Sequence, residues 1–538
     1  VMGSEPTTAG GFSWINDGDM ILSGTNAIGM AFDTRNRQGR ATDWPASEIL
    51  LNKPLKITGS NSTGIYFNVD VELKGGVGRN TSSANNIVTT LPSPTRKSKL
   101  NIDIINGTKN TGLFFDSYAS LANKTFEVTN SNINLTAGSE NAGMFIQRGI
   151  LRLEKDSGNV NNNITISGGT KNVGIYTNSG SNPKTDASVN STAKIDITGG
   201  TQGIGMLSVK GDITNMGAVS VTAANNVGAV ASGTDGHFIN TEETVDPLLT
   251  GTGTISVDTT DAVGVAAVDS GVADINGGTV STKGKATAAI YATDSGTAKA
   301  NSGSTITAEN GGINFYAAHK TGDGNIEING STIKTNADGL TFMADKTGSS
   351  KIKITGATAA DIAARGSVFY FPPASVPTSI LGVTSFSATD FKNYMQDHFS
   401  QLSNLTLNMT KGSNLVVASY IDTKVTDATI DPTTAFGSAG QPTISGDYNS
   451  FLLYRSKLEV DTDSNMDSTS TGASAAFRKI ALSSSTITNK KKITGSESGI
   501  TVMAQEDVIP NNATSGNGWV TLTNDTSGEI ALTGDKSV

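Results

Sequence analysis

Asn163-Ile-Thr-Ile-Ser-Gly-Gly-Thr-Lys-Asn-Val-Gly-Ile-Tyr176 and Lys194-Ile-Asp-Ile-Thr-Gly-Gly-Thr-Gln-Gly-Ile-Gly-Met-Leu207 obey one grammar, 31 residues apart. An apolar-x-apolar segment runs into a polar glycine turn, and a Gly then precedes two or more apolar residues. Ile164/Ile166 and Ile195/Ile197 alternate with polar residues, a period of two that puts the isoleucines on one face of a half-buried strand. The unit recurs at Lys99–Phe115, Gly303–Ala317, Gly330–Ala344 and Lys491–Ala504, and Ile326/Ile328 and Ile352/Ile354 repeat the alternation.

The Gly before the second apolar cluster serves as a marker at Gly29, Gly64, Gly112, Gly143, Gly174, Gly205, Gly228, Gly264, Gly312, Gly339, Gly366 and Gly499, with degenerate markers at Ala289, Asn414 and Ser450. Their spacing ranges from 23 to 49 residues, and the register recovers after each excess. A solenoid coil with tolerant loops behaves this way; a closed fold does not. The marker suits either a positive φ or a place too crowded for a Cβ. Asn110, Asn141 and Asn172 stand two residues ahead of their markers, 31 apart, and read as an Asn ladder at the bend, tolerant of the left-handed region and stacking its amides coil upon coil.

The expected fold is an all-β, right-handed parallel β-helix (solenoid) of about 15 or more coils, one per marker, with loop insertions and one short helical insertion. At about 4.8 Å per coil the markers imply a rod on the order of 70 Å long. Its β-helix covers 1–371, with loops at 33–53, 75–99 and 235–250; a helix-containing insertion covers 372–404, and the β-helix continues over 405–538. Ile530–Val538 aligns with Ile164–Val173 and stops where a marker Gly should follow, so the sequence is expected to be an excerpt of a longer, C-terminally truncated solenoid. No signal peptide is legible in Val1-Met-Gly-Ser4.

Composition removes several functions. None of the 538 residues is cysteine, which excludes disulfides and thiolate-held metals. The three histidines, His237, His319 and His398, are too scattered for a His-rich metal centre. A net charge of −9, from 39 basic and 48 acidic residues, opposes nucleic-acid binding. At 36% hydrophobic the chain can bury a core, which argues against wholesale disorder, and it has no apolar run approaching the roughly 18 residues of a membrane span. G-x-S-x-G, H-E-x-x-H and P-loop motifs are missing; Asp269-Ser-Gly271 and Asp294-Ser-Gly296 read as repeat turns.

In a solenoid the coils are scaffold, so candidate sites lie between strands. The insertion 372–404 carries Ser387 and Asp390 in a capping-box arrangement, then Phe391, Tyr394, Met395, His398 and Leu402 on one helical stripe. That stripe either packs on the solenoid or binds a partner. The insertion 33–53 carries Arg35, Arg37, Arg40 and Trp44, guanidinium and aromatic chemistry that suits sugars, carboxylates or a protein hot spot as well as a solvated loop. Asp461, Asp463, Asn465 and Asp467 place oxygens at alternate positions, as calcium loops do. Met466 and Gly472 stand where such a loop needs Gly and Glu, which favours a polar turn over a Ca2+ site; no other cofactor is expected.

The strands ending in GG or TG, and the motif N-x-G-(I/L/M)-(Y/F) at Asn110–Phe114, Asn141–Phe145 and Asn172–Tyr176, resemble the large fusobacterial autotransporter (type V secreted) adhesins of the RadD kind, over roughly 20–371 and 403–538. The resemblance implies a passenger domain exported through its own β-barrel, which would lie outside this sequence, and displayed on the extracellular face of the bacterial outer membrane. It implies an adhesin for host cell-surface receptors or glycans and for other bacteria, with no catalytic motif carried over. Two alternatives stand beside it: a β-helical polysaccharide lyase or hydrolase, and a passive stalk segment. The enzyme would need two or three carboxylates converging on one face beside an Arg or Lys. Outward positions such as Asn101/Asp103, Thr165 and Lys351/Lys353 do not offer them.

Overall fold

Alternating apolar and polar residues make strands that bury one face only, and such strands find their missing contacts in the next copy of themselves. The computed structural model describes residues 13–33, 47–69, 87–88, 100–117, 125–155, 161–179, 187–246, 249–373, 384–385, 388–425, 436–465, 480–495, 500–502 and 520–532. It is nearly all β, with long stacks of parallel strands in a solenoid-like arrangement. The chain divides into two units, Val1–Val280 with Ser295–Ser304, and Ser281–Asp294 with Thr305–Val538.

In the first unit, strands Leu100–Ile104, Ser131–Leu135, Asn163–Ile166, Lys194–Ile197, Ala218–Val221 and Thr254–Asp258 stack in register. Ile102, Ile133, Ile164, Ile195, Val219 and Ile255 thereby form one buried file. Leu113, Met144, Ile175, Met206, Ala229 and Val265 form a second file on the following set of strands.

The marker glycines here answer to crowding. None of Gly29, Gly64, Gly112, Gly143, Gly174, Gly205 and Gly228 has a positive φ, and a Cβ on each would lie 2.5–2.7 Å from the carbonyl oxygen of the marker one coil on. The left-handed conformation falls three residues earlier, on Asn26, Asn61, Lys109, Glu140, Lys171, Gln202, Asn225 and Asp261, with φ of 49–60°. Lys, Glu and Gln resist that region by about 1–2 kcal/mol. They are held there because the backbone N–H donates to the next coil: Lys109 to Ser139 O at 3.0 Å, Glu140 to Thr170 O at 3.0 Å, Lys171 to Thr201 O at 3.0 Å.

The Asn ladder exists, but the amides do not stack on one another at this bend. Asn141 Oδ1 accepts the backbone N–H of Asn110 at 2.8 Å, and Asn172 Oδ1 that of Asn141 at 3.1 Å. Asn110 Oδ1 does the same for Ser62, and Asn226, which the spacing argument passes over, for Gly203. The side-chain nitrogens donate to turn carbonyls, as Asn172 does to Gly168 at 2.9 Å. Amide-to-amide stacking occurs elsewhere, on the outward face from Asn163 to Asn132 at 3.1 Å and from Asn132 to Asn101 at 3.2 Å, and in the interior from Asn215 to Asn240 at 2.8 Å.

The described residues of the stretch 235–250, expected as a loop, are strand. Val227–Asp246 pairs in parallel with Ile204–Asn215 and with Val272–Asn276, then folds back antiparallel on Leu249–Thr252. Gly211-Asp-Ile-Thr-Asn215 and Gly236-His-Phe-Ile-Asn240 repeat 25 residues apart, a signal hidden because neither Gly is a marker. Phe238 is fully buried and fixes the register.

In the second unit Ile290, Phe315, Phe342, Phe369, Val416, Phe451 and Ile480 form one buried file. Its phenyl rings stack at 5.7 Å and 5.5 Å between centroids. At the matching bend the left-handed residues are Ala286, Gly311, Asp338, Arg365 and Gly412. Counting three onward, the row matching the first unit's markers is Ala289, Asn314, Thr341, Val368 and Leu415. Gly312, Gly339 and Gly366 stand two residues short of it, in the slot that Asn fills in the first unit.

Candidate functional site

The helix Ala388–His398 is the α-helix among the described residues. It lies in the insertion 372–404, and its stripe faces the interior of the second unit. Phe391, Tyr394, Met395 and His398 are 0–3% exposed. Phe371, from the strand before the insertion, meets Phe391 at 5.5 Å and Tyr394 at 5.2 Å, and Phe451, from a strand after it, meets Phe391 at 6.0 Å. The Tyr394 hydroxyl donates to the carbonyls of Ala344 (3.0 Å) and Tyr370 (2.9 Å), while burial pushes its pKa up. His398 donates from Nδ1 to Ser350 O at 2.9 Å. Aromatic contact plus satisfied polar tips make this a packed junction, so the candidate binding residues Phe391, Tyr394 and His398 are not free for a partner. The face left to solvent carries Asp390, Lys392, Asn393 and Asp397.

Arg35, Arg37, Arg40 and Trp44 lie outside the described residues, as does Asp467. Of the remaining oxygens of the calcium-like run, Asp463 Oδ1 accepts the backbone N–H of Lys492 at 3.0 Å, a bond that ties one turn to the next. Asn465 closes the short strand Ser464–Asn465, and Asp461 is half-buried. Among the described residues no group of three or more His, Asp or Glu is placed to hold a metal ion.

Two outward features of the first unit were not foreseen from the sequence. Tyr66, Phe114, Phe145 and Tyr176 form a half-buried aromatic file, one ring per coil, with centroids 5.2, 4.9 and 4.8 Å apart. The rings spend their faces on one another, whereas a sugar-stacking platform needs a free ring face. Beside the file, Arg148 grips Asp116 with two charge-assisted bonds of 2.6 and 2.9 Å across neighbouring coils. Asp103 accepts from Asn134 at 2.8 Å, and Asp196 pairs with Lys194 at 2.6 Å. Asp103 and Asp116 bind coil to coil, whereas Asp196 pairs within its own strand. The signal in the sequence for the Asp103–Asn134 pair was the same 31-residue spacing as the Asn ladder.

Neither a protein-family model nor a curated protein matches this chain.

Proposed function

We propose that the chain is a binding scaffold of the autotransporter-passenger kind: an adhesin segment, displayed on the extracellular face of a bacterial outer membrane, that meets host receptors, glycans or other bacteria through its insertions. One observation carries the reading. The strand Leu55–Ile57 pairs in register with Leu100–Ile104 although residues 58–99 lie between them, and Thr358–Ile362 does so with Leu405–Ser419 across the helical insertion. A stack that lets long segments leave and return without losing register is suited to presenting variable loops. Right-handed winding belongs to the same proposal, supported by the strong preference of parallel crossovers for that hand.

With the helical stripe committed to the core, the binding chemistry falls to Arg35, Arg37, Arg40 and Trp44. The test is attachment of the purified chain to bacterial and epithelial cells and to a glycan array, beside a variant lacking residues 34–46 and the pair Arg37→Ala with Trp44→Ala. At least a tenfold loss of attachment, about 1.4 kcal/mol, with an unchanged melting temperature, is expected. Undiminished attachment would move the site to other loops. Failure of the unaltered chain to bind any of these surfaces would leave a passive stalk.

A further inference from the structure

Strands Ile204–Asn215, Val227–Asp246 and Val272–Asn276 come from three successive coils of the first unit and pair in parallel, Asp212 opposite His237 and His237 opposite Val272. His237 Nδ1 lies 3.2 Å from Asp212 Oδ1 on the strand before, and Nε2 lies 2.9 Å from Asp274 Oδ2 on the strand after. A neutral imidazole has one N–H and one lone pair, so either neutral tautomer would point a lone pair at a carboxylate. Only the imidazolium satisfies both contacts.

Three surroundings reinforce that reading. Asp274 is 17% exposed, and its second oxygen is buried without a hydrogen-bond partner, so the imidazolium supplies its compensating charge. The buried Ser208 hydroxyl accepts the backbone N–H of His237 at 3.1 Å and donates to Gly211 O at 2.6 Å, which holds the ring's own backbone to the strand before. The charged groups on the packed elements are Lys210 and Asp212 on the first strand, Asp235, Glu242 and Glu243 on the histidine's own, Asp274 on the third, and Lys299, which stands opposite Asp274 on Thr297–Asn301.

We propose that His237 is a proton-held staple across three coils: doubly protonated, it ties Asp212 to Asp274, and on losing its proton it releases the stack at this point. The hydrogen bonds that His237 donates to Asp212 and then to Asp274 outweigh the desolvation that opposes them and push the histidine from its ordinary 6.5 up to about 9. A group raised in this way contributes stability that is whole below pH 6.5 and is lost as the pH climbs through about 9.

The experiment is histidine-labelled nitrogen NMR of the whole chain from pH 5 to 10.5. With only three histidines in the sequence, His237→Gln assigns the signal by its disappearance. Both ring nitrogens of His237 are expected to be protonated at pH 7 and to titrate near pH 9, a proton held about 300-fold more tightly than by a free histidine. A neutral tautomer at pH 7, or a midpoint near 6.5, would overturn the proposal. Amide exchange at Ile213, Phe238 and Ile275, corrected for intrinsic rate, reads the release. Protection should fall between pH 6.5 and about 9 in the unaltered chain and should not depend on pH in His237→Gln. PH-independent protection in the unaltered chain would refute the release even with a charged ring. Should His237→Gln fail to fold, the titration and exchange of the unaltered chain still decide.

Discussion

At Gly143 a single methyl group has nowhere to go. Its Cβ would sit 2.7 Å from Gly174 O and 3.4 Å from the core methyls of Ile133 and Ile164. Gly143→Ala is therefore expected to cost about 1–3 kcal/mol, the usual range for overpacking, read by chemical denaturation. Asn141→Ala probes the bend beside it. It removes the acceptor for the buried Asn110 N–H and leaves an orphan donor, a loss of about 1–3 kcal/mol. Asn141→Asp keeps that acceptor and should recover part of the loss. The spacing of these residues was legible in the sequence, but the division of labour among them was not. Which residue turns left-handed is decided by a hydrogen bond to the following coil, and one coil's sequence does not contain its neighbour's carbonyl.

For the helix Ala388–His398 the stripe was readable and its destination was not, because the same amphipathic pattern serves a docked helix and a protruding one. The structure decides through the receiving surface. Phe371 and Phe451 lie far apart in sequence and are brought beside Phe391 by register alone. Phe391→Ala and Tyr394→Ala should each destabilise the second unit by about 3–5 kcal/mol, as large-to-small core changes do. Lys392→Ala and Asp397→Ala on the exposed face should stay within about 0.5 kcal/mol. Equal, negligible effects from all four substitutions in urea denaturation would contradict the packing. The same lesson holds for Gly312, Gly339 and Gly366: glycine looked alike in both units, yet here it takes the slot of an Asn, not that of the crowded marker.

Taken over the molecule, protonation should bound stability on two sides. Asp294 is held below its ordinary 3.8 first by the Thr321 hydroxyl and backbone N–H, and Asp323 by the Ser349 backbone N–H. Depressed carboxylates contribute stability present above 3.8 and lost as the pH falls through their folded values, while the His237 contribution declines between 6.5 and about 9. Melting temperature is therefore expected to be highest between those limits, and Asp294→Asn with Asp323→Asn should flatten the acid limb. A maximum above pH 9 would contradict the histidine assignment, and an acid limb unchanged in the double variant would contradict that of the two carboxylates. The bend at Asn110, Asn141 and Asn172 has a consequence at the level of the gene. Asn110 and Asn141 each accept from the coil before and offer their own backbone N–H to the Asn of the coil after, so the coils ending at Asn141 and Asn172 close with the same joint. The DNA for residues 142–172 is then a cassette: copied in tandem by unequal recombination, it would meet like joints at both seams, and copy number can drift while every splice still folds.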